Sequence, residues 1–311
     1  MNVQIEVLVD PLEDVLALLG ATSQISASMT AGGRWAVRFD PPTGVKFNAV
    51  RRGRCLLWVD GVADPISLEQ GDCFLLTLPR AFTLASDPET RPEPAPPLFV
   101  AAVDGVARVG DGDDVFLIGG AFTFGDRAST LLLASLPPVI HVPAASPEAA
   151  TVHWAVGEID AELRQAPMGG TLAAEHLALV MLIRVLRLHL ARGATSGWLA
   201  GLADPVVAPA LRAMHDRPAH PWTVAELARV ATVSRSTLAA RFKGIVGQGP
   251  LEYLTAWRIE LAAEGIRRGG ETVAVIARSV GYGSESAFSV AFKRTTGLSP
   301  RAYRRQTAGV G

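Results

Sequence analysis

Residues 1–135 contain no histidine. A transition metal held by clustered imidazoles is therefore nearly excluded from that half of the chain. Cysteine is almost as scarce: Cys55 and Cys73 are the whole complement, too few for a disulfide framework. No apolar run is long and uncharged enough to span a bilayer. The nearest, Leu172 to Leu190, is interrupted by Glu175, Arg184 and Arg187. Met1 to Leu8 carries neither a basic region nor a long apolar core, so no signal peptide is expected, and the expected location is cytoplasmic with no membrane partner. A glycine-rich phosphate loop and a nucleophile elbow are also missing. With them go the common nucleotide-binding and hydrolase chemistries, and no cofactor, metal or catalytic residue is expected.

Net charge is nearly absent too, at −1, but it is unevenly divided. Residues 205–311 hold 15 Lys and Arg against 7 Asp and Glu, whereas residues 1–204 hold 14 against 23. A basic C-terminal module on an acidic body is the footprint of a protein that meets nucleic acid with one end.

Within that basic module two helix-turn-helix patterns occur in tandem. In the first, Thr223 and Glu226 have capping-box spacing, Val224, Leu227 and Ala228 form an apolar stripe, and Ser234 can cap a second helix with Leu238 and Phe242 inward. In the second, Ile276 and Ala277 face inward, Gly281 suits a turn of positive φ, and Ser284 can cap a helix that buries Phe288 and Phe292. The first turn has Thr232 where glycine would fit better. Between the units, Gly249-Pro250 opens a helix to about Arg268, with Leu254, Trp257 and Leu261 at helical spacing. Those nineteen positions span roughly 28 Å, close to one turn of DNA at roughly 34 Å. Gly297 ends the last long helix, and Ser299-Pro300 starts a short final turn.

Residues 205–306 resemble the DNA-binding domain of the AraC/XylS family of bacterial transcription regulators. The run from Val280 through Gly281, Tyr282, Phe288, Phe292, Gly297 and Pro300 to Arg304 follows that family's signature almost throughout. Residue by residue, the resemblance implies base reading by Arg235, Ser236, Thr237 and Ala240 on the first recognition helix. On the second it implies Glu285, Ser286, Ser289 and Val290. Positions 240 and 290 often carry arginine in the family. Alanine and valine there remove potential guanine contacts and leave room for thymine methyl groups. Arg241, Lys243, Lys293, Arg294 and Arg304 are the expected phosphate contacts.

From Lys46 to Leu84, short apolar runs alternate with Asp-Gly and Gly-Asp pairs, the pattern of an antiparallel barrel or sandwich. Asp87 to Pro97 reads as a loop, and strands are expected to resume at 99–103, 114–118 and 121–124. Gly71-Asp72, Leu75 to Pro79 and Leu136 to His141 resemble the small cupin sensor barrel of many AraC-type regulators. The fold expected is thus α+β and multidomain. It comprises a cupin-like jelly-roll barrel over 1–145, a helical dimerisation and linker segment over 146–204, and an all-α DNA-binding domain over 205–306. Gly193 to Asp204 reads as linker, and His141 and His153 as surface or interface residues.

The resemblance implies a sequence-specific regulator bound to double-stranded promoter DNA, with RNA polymerase as a further partner. Its signal would be an unidentified small molecule taken into the barrel without metal, with Phe47, Leu57, Trp58, Phe74 and Phe82 as candidate lining. A homodimer is expected through Thr171 to Arg192, where Leu179, Ile183, Leu186 and Leu190 form a stripe that core packing explains almost as well. A redox sensor using Cys55 and Cys73, placed on adjacent strands, is the alternative; both residues also suit an apolar core. An enzyme with an appended DNA-binding module, like the DNA-repair methyltransferases, would need more cysteines than two.

Overall fold

The computed structural model describes residues 11–18, 21–124, 133, 136–146, 149–192 and 197–308. The chain divides into two compact units. One comprises residues 21–124 and 136–192; the other comprises 193–311 with the N-terminal 1–20 and 125–135.

The first unit contains twelve described strands: β1 (Thr22–Ile25), β2 (Ser28–Gly32), β3 (Ala36–Phe39), β4 (Val45–Arg52), β5 (Cys55–Val59), β6 (Ile66–Leu68), β7 (Cys73–Leu76), β8 (Phe82–Ala85), β9 (Glu93–Pro94), β10 (Val106–Gly110), β11 (Val115–Thr123) and β12 (Val139–Val142). They form two sheets, ordered β10-β2-β11-β4-β7-β12, with β1 also on β11, and β6-β5-β8-β3-β9. Pairing is antiparallel except for β10 with β2 and β3 with β9. The two sheets do not close into one ring. They share an apolar core, to which Met29, Val50, Phe74 and Leu117 come from the first and Val37, Leu57, Phe82 and Leu84 from the second.

The opposite face of the larger sheet carries Phe47 stacked on Phe122 at 5.1 Å. There Arg51 donates to the buried Asp160 at 3.0 Å, and Arg164 reaches the same carboxylate at 2.7 Å. Asp160 lies on a helix, Ala150–Gln165, that packs against a second helix, Gly170–Ala191. The segment expected as a separate 146–204 module is thus divided. Both helices belong to the sheet unit, and residues from 197 onward belong to the other.

Three local expectations change. Residues 99–103 are not a strand, because a helix (Ala95–Val100) occupies the region with proline in its first turn, where a missing N–H costs nothing. The strands expected at 114–118 and 121–124 are one strand, β11, which Gly119 and Gly120 do not interrupt. A Cβ on Gly119 would lie 2.3 Å from Asn48 Oδ1, and one on Gly120 2.6 Å from the Phe47 ring, so these glycines admit neighbours instead of breaking the strand. His141 is not a surface residue past the sheets. It sits on β12 opposite Phe74, with Nε2 2.8 Å from Oδ2 of the buried Asp72.

The second unit is helical. A helix near the N-terminus (α1, Pro11–Leu18) joins Trp198–Ala203, Val207–Asp216, Val224–Val230, Arg235–Val246, Pro250–Arg268, Val273–Ser279, Glu285–Thr296 and Pro300–Ala308. The short final turn expected after Ser299 is this last helix. The expected linker lies partly outside the described residues, at 193–196. From Trp198 it is a packed helix with Trp198, Leu199 and Ala200 buried. Its small residues serve close packing: a Cβ on Gly201 would meet Leu211, Val207 and Val246 at 3.0–3.2 Å. Among the described residues no helix is long and apolar enough to cross a membrane.

Candidate functional site

The two helix-turn-helix units are built alike, down to individual hydrogen bonds. Thr223 caps Val224–Val230 through a full capping box with Glu226, and Thr272 caps Val273–Ser279 by accepting from the Val275 N–H. In the first turn, Thr232 N–H donates to Arg229 O and Val233 N–H to Ala228 O. In the second, Gly281 N–H donates to Arg278 O and Tyr282 N–H to Ala277 O. Both turns need a left-handed residue: φ is 55° at Thr232 and 88° at Gly281. Ser234 and Ser284 then accept from the backbone N–H three residues on, starting Arg235–Val246 and Glu285–Thr296. Gly247 and Gly297, both left-handed, end them.

Each recognition helix buries one aromatic-rich edge and exposes the other. Leu238 and Phe242 are fully buried on the first, Phe288 and Phe292 on the second. The connector Pro250–Arg268 packs on both sides through buried Leu254, Trp257, Ile259 and Ile266. Arg258, from the same helix, donates to Pro218 O at 2.6 Å and His220 O at 2.7 Å, holding the 217–222 loop. That loop touches the second turn, since a Cβ on Gly281 would lie 2.5 Å from Ala219 O.

Arg235, Ser236, Thr237 and Ala240 are exposed together on the first recognition helix. Glu285, Ser286 and Val290 are exposed on the second, with Ser289 half-buried beside them. Val290 is 69% exposed, unusual for a valine, and Glu285 stands 3.9 Å from Arg301. Lys243, Lys293 and Arg294 are open to solvent. Arg241 and Arg304 are already engaged. Arg241 grips Asp204 through Nε at 2.9 Å and a terminal nitrogen at 2.8 Å, while Arg304 donates to Glu271 O at 2.6 Å. Asp204 also accepts from the Val206 and Val207 N–H groups, so this pair ties the recognition helix to the start of Val207–Asp216.

The reading from sequence missed His215. Its side chain is fully buried, 2.7 Å from Tyr253 Oη and 3.2 Å from Asp14 of α1, and it stacks on Trp257 at 4.1 Å. Burial pushes its pKa down, with Asp14 opposing. Nothing in local sequence links position 14 to position 215.

In the sheet unit a cavity of about 290 Å³ opens among Met29, Phe39, Phe82, Leu84, Phe99 and Leu117, with Ser26, Asp40, Lys46 and Asn48 as polar lining. Of the five residues expected to line a pocket, Phe82 alone lines this cavity. Leu57 and Phe74 belong to the core, Phe47 points to the opposite face, and Trp58 is half-buried on the outward side of β5. Side chains alternate along a strand, so Phe47 on β4 faces away from this cavity while its neighbours Lys46 and Asn48 face it. Cys55 and Cys73 lie in different sheets, not on adjacent strands. Burial, with Asp72 adding to it, pushes both thiols up to about 12, so reactive thiolate is scarce at neutral pH.

Residues 10–191 match the family model for cupins, and residues 227–306 match that for a helix-turn-helix domain. An AraC-like transcription regulator of Streptomyces lividans is 66% identical over 298 residues, covering 95% of this chain and 98% of the relative. A second, from Streptomyces antibioticus, is 65% identical over the same shares. The transcriptional regulator MtrA of Neisseria gonorrhoeae is 26% identical over 302 residues, 96% of this chain and 98% of its own. With a cupin unit, two matched helix-turn-helix units and this degree of identity along almost the whole of both Streptomyces chains, the chain belongs to the AraC-like family of transcription regulators.

Proposed function

We propose that this regulator reads its promoter with the two exposed recognition faces and takes its signal as a small molecule in the sheet-unit cavity. The first half is carried by one observation: Arg235, Ser236, Thr237 and Ala240, and their counterparts at 285, 286 and 290, stand free beside a buried aromatic edge. In this reading Arg235 contacts base edges, Ala240 and Val290 meet thymine methyls, and Lys243, Lys293 and Arg294 hold phosphates. Arg241 and Arg304 act mainly as internal ties. The experiment is a binding titration over operator variants. Arg235→Ala should flatten discrimination at one base pair by about 1–3 kcal/mol, whereas Lys293→Ala should weaken every site alike. Uniform losses from both would refute this division of labour.

A homodimer formed through Gly170–Ala191 completes the proposal, with RNA polymerase as the partner on the promoter. Leu182 and Leu186 are buried within their own subunit, so the dimer surface would use the exposed Leu172 and Val180 with half-buried Leu179, Ile183 and Leu190. Sedimentation should give twice the chain mass at micromolar concentration, and Leu172→Glu with Val180→Glu should return the monomer with the fold intact. A wild-type monomer at that concentration rejects the dimer.

A further inference from the structure

The cavity of the sheet unit is lined by two polar groups that the described residues satisfy incompletely. Lys46 is the sole lysine before Lys243. Its ammonium extends from β4 toward the cavity and donates to Ser26 Oγ at 2.9 Å; among the described residues no carboxylate pairs with it. Several arginines of this unit do pair with carboxylates, among them Arg38 with Asp60, Arg51 with Asp160, Arg52 with Asp113 and Arg34 with Asp87. Two residues along β4, on the same face, Asn48 is 9% exposed and its Nδ2 is buried without a hydrogen-bond partner. A cation with no carboxylate partner and an unused amide donor, on one face of β4 in an apolar hollow, are each costly unless something else supplies acceptors.

We propose that this cavity binds an amphipathic monocarboxylate, its anionic head between Lys46 Nζ and Asn48 Nδ2 and its apolar body against Phe39, Phe82 and Phe99. The assignment rests on the proposed effector role of the cavity and names the chemistry of the ligand. One cation with one neutral donor suits a single negative charge, whereas a phosphate dianion would leave charge uncompensated in an apolar site. A cation would meet Lys46 directly, and a neutral ligand would leave it unpaired. The body should accept aromatic contact, since Phe39 and Phe82 stack at 4.5 Å and Phe99 meets Phe39 edge-on at 5.8 Å.

The electrostatics of the site agree. Burial pulls the Lys46 ammonium down to about 8, so it is still charged at neutral pH and loses its proton in mild alkali. Its cross-strand neighbours, Ala121 on β11 and Leu76 on β7, carry no charge. Asp40, exposed, is the one other ionisable side chain in the described lining. Carboxylate affinity should therefore fall by about tenfold between pH 7 and 9.5 as Lys46 deprotonates.

The test is calorimetric titration of the full chain at pH 7 with 4-phenylbutanoate, 4-phenylbutan-1-ol and 4-phenylbutylamine, with octanoate, octanol and octylamine run beside them. An acid should bind at least about tenfold more tightly than its alcohol, with the amine weakest. Lys46→Met, nearly the same length without charge, should erase both the preference and the pH dependence, with the thermal melt confirming that the variant folds. Equal binding of acid and alcohol, a preference that survives Lys46→Met, or no binding by either acid overturns the proposal. DNA affinity measured with and without the acid separates this from the effector reading. Binding through Lys46 that leaves DNA affinity unchanged refutes the effector role and spares the ligand class. A DNA response to the alcohols alone does the reverse.

Discussion

Gly281→Ala should destabilise the helical unit by about 3–4 kcal/mol, while Thr232→Gly, at the matching turn, should stabilise it slightly. The turns share hydrogen bonds and handedness, so the difference lies in their surroundings. Placing an L side chain at φ 88° costs about 1–2 kcal/mol, and the new methyl would also meet Ala219 O at 2.5 Å and Ala219 Cα at 2.8 Å. Those atoms are backbone, in a loop pinned by two bonds from Arg258, and cannot swing aside. Thr232, by contrast, is exposed and already bears the strain of φ 55°. Glycine there relieves about 1–2 kcal/mol and costs about 0.5–1 kcal/mol in chain entropy. Urea titrations followed by tryptophan fluorescence would measure both changes. Equal and small effects would mean that the Gly281–Ala219 approach does not constrain the fold.

A fragment beginning at Gly197, although it gives up the α1 contact of Asp14 with His215, should fold and bind DNA, with affinity falling about a thousandfold or more between 50 and 200 mM salt if six or more phosphates are contacted. A fragment beginning at Pro205, where the sequence alone put the boundary, should be much less stable. It lacks Asp204, which accepts two backbone N–H groups and grips Arg241, so both helix start and recognition helix lose a tie worth about 1–3 kcal/mol. It also lacks Trp198 and Leu199, whose buried side chains are worth about 3–5 kcal/mol together. Denaturant melts of the two fragments and DNA titrations over salt would check this. A stable Gly197 fragment with salt-insensitive binding, or none, would sink the charge-based reading of the interface.

Position 204 also shows why boundaries were harder to read than motifs. The caps Thr223, Ser234 and Ser284, the left-handed turns at 232 and 281 and the buried pairs at i, i+4 obey rules that span only a few residues, and all appear as expected. Small residues over 197–204 mimic a linker because composition does not distinguish a flexible chain from a helix that must pack closely. Prolines 96 and 97 mimic a loop for a similar reason, since proline suits both a loop and the first turn of a helix.

By itself, the sequence determined the two helix-turn-helix units, the connector over 250–268, the sheet-rich first half and the concentration of positive charge at one end. Each is written in periodicity, capping residues or composition, which act at short range. Only the tertiary structure decided which face of β4 lines the cavity, since both parities of that strand offered apolar residues and strand pairing across the sandwich made the choice. It likewise brought Asp14 to His215 and Asp204 to Arg241, and gave Arg241 and Arg304 internal hydrogen-bond partners. Partners joined by long-range folding leave no periodic trace in the chain, because their meeting depends on every element packed between them.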